Sequence, residues 1–179
     1  TFDFDIDHLN YHRYVFHDFV AQMRTTPDHY IYIDTLYMKA AGGKMMLGGY
    51  FNGSNRDKIY FSPNLKLKGV DMDKLLFKFE NFGQDHLVSE NLHGKITADI
   101  TGKIHMHPDL VPILDDSEVH MDVLILNGRL VNYEMLTTLE EYFGDKNLHD
   151  VRFDTLTNHI DFKNGKINIP NMSINSTLG

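Results

Sequence analysis

Period two dominates this chain, and it predicts a sheet. Between Glu118 and Leu126, Val119, Met121, Val123 and Ile125 fall on one side and Glu118, His120 and Asp122 on the other, until Leu124 and Leu126 make both sides apolar. Successive side chains of a strand point to opposite faces, so this alternation describes a strand with one buried side. From Leu92 to Ile100 the same pattern sets Leu92, Gly94, Ile96, Ala98 and Ile100 against His93, Lys95, Thr97 and Asp99. One-sided strands belong to antiparallel sheets with one face covered. Further strand-like runs are Tyr30 to Ala40, Lys44 to Phe51, Lys58 to Lys68, Val151 to Leu156, His159 to Phe162, and Lys166 to Ile174 with Pro170 interrupting.

Turn chemistry separates these runs. Gly42-Gly43, Asn52-Gly53-Ser54-Asn55 and Asn164-Gly165 supply residues that tolerate positive φ, as tight hairpins require. Pro170 cannot donate to a ladder, so it marks a strand edge, a bulge or a bend.

Helical spacing replaces alternation in three places. Asp71 can cap a helix over Met72 to Phe82, with Met72, Leu75, Leu76, Phe79 and Phe82 as one stripe. Met135 to Phe143 places Met135, Leu136, Leu139, Tyr142 and Phe143 together, and Tyr14 to Met23 offers Phe16, Phe19, Val20 and Met23. Helices this short are stable only when docked on other structure. The expected fold is therefore α+β: a curved, mainly antiparallel β-sheet, as an open groove or half-barrel, with short amphipathic helices.

Length and charge narrow the function. A chain of 179 residues and 20.7 kDa suits one domain over 1–179. Its net charge of -8 and scattered Lys and Arg oppose nucleic-acid binding, which rests on clustered cations. The absence of Cys removes disulfides, thiolate catalysis and Cys-ligated zinc. No run of about 18 apolar residues and no signal-peptide pattern occurs. The chain closes on Thr177-Leu178-Gly179 directly after an alternating strand, which reads as a piece of a longer protein.

The C-terminal third carries a family resemblance. Asn127-Gly128-Arg129-Leu130-Val131-Asn132-Tyr133 precedes Val151-Arg152-Phe153-Asp154-Thr155-Leu156 and the tail Asn164-Gly165-Lys166-Ile167-Asn168-Ile169-Pro170-Asn171-Met172-Ser173-Ile174-Asn175-Ser176. Upstream, Leu36 to Gly48 has the strand, Gly-Gly turn and strand habit, and Leu92 to Gly102 fits the middle. Together these resemble the C-terminal region of AsmA-like proteins over residues 30–179, with Asn132-Tyr133-Glu134-Met135 departing where that family often has Pro. The resemblance implies a Gram-negative, Bacteroidetes-type envelope protein, periplasmic and tethered to the inner membrane through an N-terminal anchor outside this chain. It further implies a curved apolar β-groove that binds or conducts phospholipid acyl chains for outer-membrane lipid homeostasis, with a possible envelope protein partner.

Chemical motifs are sparse. Of 11 His, His105 and His107 stand two apart on a strand and could share a cation with His120 as a third ligand, but HExxH and comparable spacings are absent. Surface exposure is the ordinary reading for them. His8 and His12 would face together on a helix, with His17 beyond. Adjacent carboxylates such as Asp115-Asp116 and Glu140-Glu141 turn apart on a helix, and no serine, Ser117 included, has a GxSxG context. No catalytic residue, cofactor or metal is expected, and the function class is non-enzymatic. The groove candidates are Ile96, Ala98, Ile100, Val119, Met121, Val123 and Ile125 in the central strands. Phe153, Ile167, Ile169, Met172 and Ile174 continue them toward the tail, with Met45 and Met106 as pliant additions. The competing expectation is a scaffolding module whose sheet edges pair with neighbouring segments or a partner protein.

Overall fold

The computed structural model describes residues 1–11, 14–78, 89–134, 148–169 and 172–176, with backbone alone at 11, 14, 78 and 172–176. Eight long strands and two short ones run in chain order: β1 (Phe2–Tyr11), β2 (Tyr14–Thr25), β3 (Tyr30–Ala40), β4 (Gly43–Asn52), β5 (Ile59–Asp71), β6 (Leu92–Met106), β7 (Pro112–Val131), β8 (Asp150–Lys163), β9 (Lys166–Asn168) and β10 (Met172–Ser176). They form one sheet in the order β1-β2-β3-β4-β5-β6-β7-β8-β10, with β9 also on β8, and every ladder is antiparallel. From β1 to β8 each strand pairs with its neighbour in sequence, and the sheet does not close on itself.

Sheet thus outweighs helix more than the alternation implied. Among the described residues there is one helix, α1 (Met72–Lys78), at the start of the first expected helical segment. Its continuation over Phe79 to Phe82 and the expected helix over Met135 to Phe143 lie outside the described residues. The third expectation is corrected: Tyr14 to Met23 is the body of β2.

The cause of that misreading is a bulge. The β2–β3 register slips between His17 and Val20, where Asp18 has φ 49. An extra residue lets positions three apart share a face, so Phe16 and Phe19 imitate helical spacing inside a strand. The device recurs: β3 slips between Ile33 and Leu36, and β5 between Leu67 and Val70 at Gly69 with φ 60. Each bulge bends its strand and adds twist.

Two tight turns use the chemistry that hairpins demand. Ala41 and Gly42, with φ 48 and 73, close the β3–β4 hairpin, so the turn sits one residue before the expected Gly42-Gly43 pair. Gly43 is instead the first residue of β4, and a Cβ there would meet the backbone of Lys68, Gly69 and Val70 at 2.7 Å. Asn164 and Gly165, with φ 53 and 67, close β8–β9 as expected. At the β4–β5 loop the buried Asn52 side chain accepts hydrogen bonds from the Ser54 N–H at 2.9 Å and the Ser54 hydroxyl at 2.6 Å.

The buried core gathers where α1 rests on β5 and β6. Leu75 and Leu76 of the helix join Val70, Met72, Leu67, Ala98, Ile96, Ile125 and Phe153 there. Asp71, at the strand-to-helix junction, accepts from Lys74 Nζ at 2.7 Å and Lys95 Nζ at 2.6 Å, tying the helix start to β6. Both lysines hold its carboxyl below the usual carboxylate range, Lys74 contributing most.

Candidate functional site

The two faces of the sheet are chemically opposed, and register makes them so. Directly paired residues of an antiparallel ladder share a face. Following the pairs across the sheet gives an unbroken apolar row: Phe4, Ala21, Leu36, Leu47, Leu65, Ile100, Met121 and Ile160, one residue from each of β1 to β8. At about 4.8 Å per strand this row spans roughly 34 Å. A parallel row, Met38, Met45, Leu67, Ala98, Val123 and Asn158, lies two residues toward α1. On the reverse face the intervening residues read Val20, Tyr37, Met46, Lys66, Asp99, Asp122 and His159.

Helix α1 covers one end of the apolar face. Of the expected groove residues, Ile96, Ala98, Ile125 and Phe153 are buried in the core beneath or beside the helix, so they pack the protein itself. Met45, 3% exposed, belongs with them. Val123 and Ile100 pack against that cluster while remaining half-buried. Val119 and Met121 are half-buried farther along the face, and Met106 pairs with Ile59 and Pro112 at its far end. At the sheet edge Ile167 and Ile169 are 67% and 45% exposed. Met172 and Ile174 stand at register positions opposite Asn158 and Leu156 on β8. The β1 end is open too, with Phe2 52% and Phe4 41% exposed.

Several members of the apolar face escaped the sequence reading although their strands were expected: Leu36, Leu47, Leu65, Ile33, Phe51 and Phe61. Alternation within each strand was visible, but the bulges at Asp34-Thr35 and Gly69 invert the phase midway.

One polar atom interrupts the apolar side. Asn158 is 8% exposed, and its Oδ1 has no hydrogen-bond partner among the described residues. Ser117, 2% exposed, is fully engaged: its hydroxyl donates to the Ile113 carbonyl at 2.6 Å and accepts from the His105 N–H at 3.0 Å, which fastens the β6–β7 bulge.

On the reverse face, side chains form ladders. Tyr30, Tyr32, Tyr50 and Tyr60 are in successive ring contact, with centroids 5.8 Å apart for Tyr30–Tyr32, 5.9 Å for Tyr32–Tyr50 and 5.8 Å for Tyr50–Tyr60. His105 ends the series, 5.7 Å from Tyr60. Arg24 and Lys103 lie over Tyr32 and Tyr60 at 3.9 and 4.2 Å. Ion pairs continue the face, Lys66–Asp99 at 2.8 Å and Lys163–Glu118 at 2.9 Å among them. Exposed pairs of this kind add little stability each.

The histidines regroup. Across β6–β7, His120 faces Thr101, and His105 faces Ile113, so His105, His107 and His120 do not converge. His120 sits instead with His159 and Asp161. The hydrogen bond donated to Asp122 is the main influence raising the His159 imidazole above its ordinary value, and that from His120 the main one lowering the Asp161 carboxyl. His8 faces His17 across the β1–β2 ladder, ring centroids 4.8 Å apart, because this region is strand and not helix.

No family model matches the chain, and no curated protein or solved structure matches it. What the geometry defines is an open, two-faced antiparallel sheet with a largely apolar side and a reverse side of tyrosines and ion pairs. The hollows among Val15, Lys39, Gly42 and Lys74 and among Thr25, His29, Phe51 and Gly53 are open ones at the strand ends. Such an arrangement suits an extended apolar ligand laid along a surface.

Proposed function

We propose that this chain is a non-enzymatic part of an AsmA-like envelope protein that binds or conducts lipid acyl chains along the apolar face of its sheet. The observation that carries the reading is the unbroken row from Phe4 to Ile160, with the described helix resting mainly on β5 and β6. Along β6 the stretch from Ile100 to Met106 is about 20 Å at about 3.3 Å per residue. One leaflet of bilayer hydrocarbon is about 15 Å deep, so an acyl chain fits alongside. Each CH₂ removed from water there contributes about 0.8 kcal/mol. The periplasmic location and the tether to the inner membrane rest on the resemblance of residues 30–179.

The test is organic extraction and mass spectrometry of the protein purified from a bacterial periplasm without detergent, beside an acidic β-rich control of similar size. Stoichiometric phospholipid, enriched over the control and lost on Met121→Glu, is the expected result. Lipid no higher than in the control overturns the reading.

A second reading has its own observation. Strand β1 is an edge of the sheet ten residues long, and its outward ladder positions have no partner strand among the described residues. Strand addition from a neighbouring segment or a partner protein would complete it. Asp3, Asp5 and Asp7 alternate along it, and charge on an edge opposes indiscriminate pairing. Concentration-dependent self-association that is abolished by Phe4→Pro would favour this scaffold role.

A further inference from the structure

On the charged face of β7 and β8, imidazoles and carboxylates alternate at the corners of a square. The ladder pairs His120 with Asp161 and Asp122 with His159, two residues apart on each strand, so all four project from one side. Asp161 Oδ1 lies 2.6 Å from His120 Nδ1 and 3.2 Å from His159 Nε2, and thus two ring nitrogens converge on one carboxylate oxygen. One ligand atom from each of the three residues lies within 4.8 Å of the others. The far nitrogens are held as well: His159 Nδ1 is 2.7 Å from Asp122 Oδ1, and His120 Nε2 is 3.4 Å from Glu118 Oε1.

The geometry points to a binding site for a divalent transition metal ion of the zinc class, with His120 Nδ1, His159 Nε2 and an Asp161 oxygen as ligands and a fourth position open to solvent. Bonds of about 2.0–2.2 Å in a tetrahedral site set donors about 3.3–3.5 Å apart. The two carboxylate–imidazole separations of 2.6 and 3.2 Å need to widen by less than about 1 Å, and the side chains are free enough to adjust at 46%, 47% and 30% exposure. Imidazole nitrogen selects zinc, copper or nickel over magnesium and calcium, which take oxygen. Asp122 and Glu118 supply the outer carboxylates that orient a ligating imidazole and strengthen it as a donor.

The surroundings permit the charge. Thr101 from β6 faces His120, and Asn168 from β9 faces Asp161, both neutral. Asp99 faces Asp122 and is paired with Lys66, and Lys163 is engaged by Glu118. A bound ion would staple β7 to β8 on the face opposite the apolar row, so the site stands apart from the lipid reading.

Titration of the metal-free protein with Zn²⁺ and Co²⁺ alone, at about pH 8 where imidazole is neutral, tests the site by calorimetry and by the visible absorption of tetrahedral Co²⁺. One saturable equivalent is expected. His159→Ala and Asp161→Asn should weaken it at least about tenfold, and Asp122→Asn by about 10-fold through loss of the outer carboxylate. His105→Ala/His107→Ala and His8→Ala/His17→Ala should bind as the parent does. Circular dichroism checks that each variant is folded, as expected for half-exposed positions. Absence of saturable binding overturns the proposal, as does binding that survives in folded His159→Ala or disappears with His8 and His17.

Discussion

The ring of Phe153 lies over Gly128, its partner across the β7–β8 ladder, and occupies the space that a side chain at 128 would need. Phe153 is 7% exposed and belongs to the core cluster, so the ring has nowhere easy to go. Gly128→Ala should destabilise the protein by about 1–3 kcal/mol through overpacking, measured by urea unfolding. Unchanged stability would mean that the ring turns aside freely.

Helix α1 holds the buried end of the apolar face through Leu75 and Leu76, each 8% exposed. Leu75→Ala should cost about 2–5 kcal/mol in the same unfolding assay. A loss of only a few tenths would show that α1 contributes little to the core.

Asn158 places an Oδ1 without a partner among the described residues opposite Val123 on the apolar face. A buried unsatisfied polar group costs about 1–3 kcal/mol, so Asn158→Leu should raise stability by up to that amount. Thermal unfolding decides it, and a lower melting temperature would reveal that the amide is satisfied in solution.

Met121 lies between Ile100 and Ile160 in the long apolar row and is half-buried. Met121→Glu puts a charge where an acyl chain would lie, and desolvating that charge opposes binding. Phospholipid recovered by mass spectrometry should fall to the level of the control while the circular dichroism stays that of the parent sheet.

Arg129 and Arg152 face each other across β7–β8, and Asp150 bridges them, with Arg129 Nε 2.7 Å from its Oδ1. The Arg129 hydrogen bond, with Arg152 adding, pulls the Asp150 carboxyl down from 3.8 to about 2. A depressed carboxyl stabilises the fold above its unfolded value, and that contribution is lost as pH falls through the folded value. The window here is therefore from about 3.8 down to about 2. Carboxyl NMR should find Asp150 titrating near the lower end, and Arg129→Ala should return it toward 3.8.

Much of this fold was legible in the chain because alternation is a local property. Val119 to Ile125 and Leu92 to Ile100 each declare one apolar side from their own residues, and Asn164-Gly165 declares its hairpin from the φ angles it tolerates. Phe16 and Phe19 misled for an equally physical reason: a bulge at Asp18 restores a shared face after three residues, the interval that also marks a helix. Of the groove candidates, sequence identified the apolar side of β6 and β7. It could not tell that Ile96 and Ile125 would be buried in the core that α1 joins while Met121 stays half-buried.

The strands from β3 to β8, the two-residue turn at Asn164-Gly165 and the apolar character of one side were determined by the sequence alone, since each depends on neighbours a few positions away. Register was decided only in the tertiary structure. Pairing His120 with Asp161 and Asp122 with His159 joins residues about forty positions apart, and the row from Phe4 to Ile160 joins eight strands. A slip of one residue would turn every such side chain to the other face. Which side chains meet is therefore a property of the assembled ladders and their bulges, and no single segment carries it.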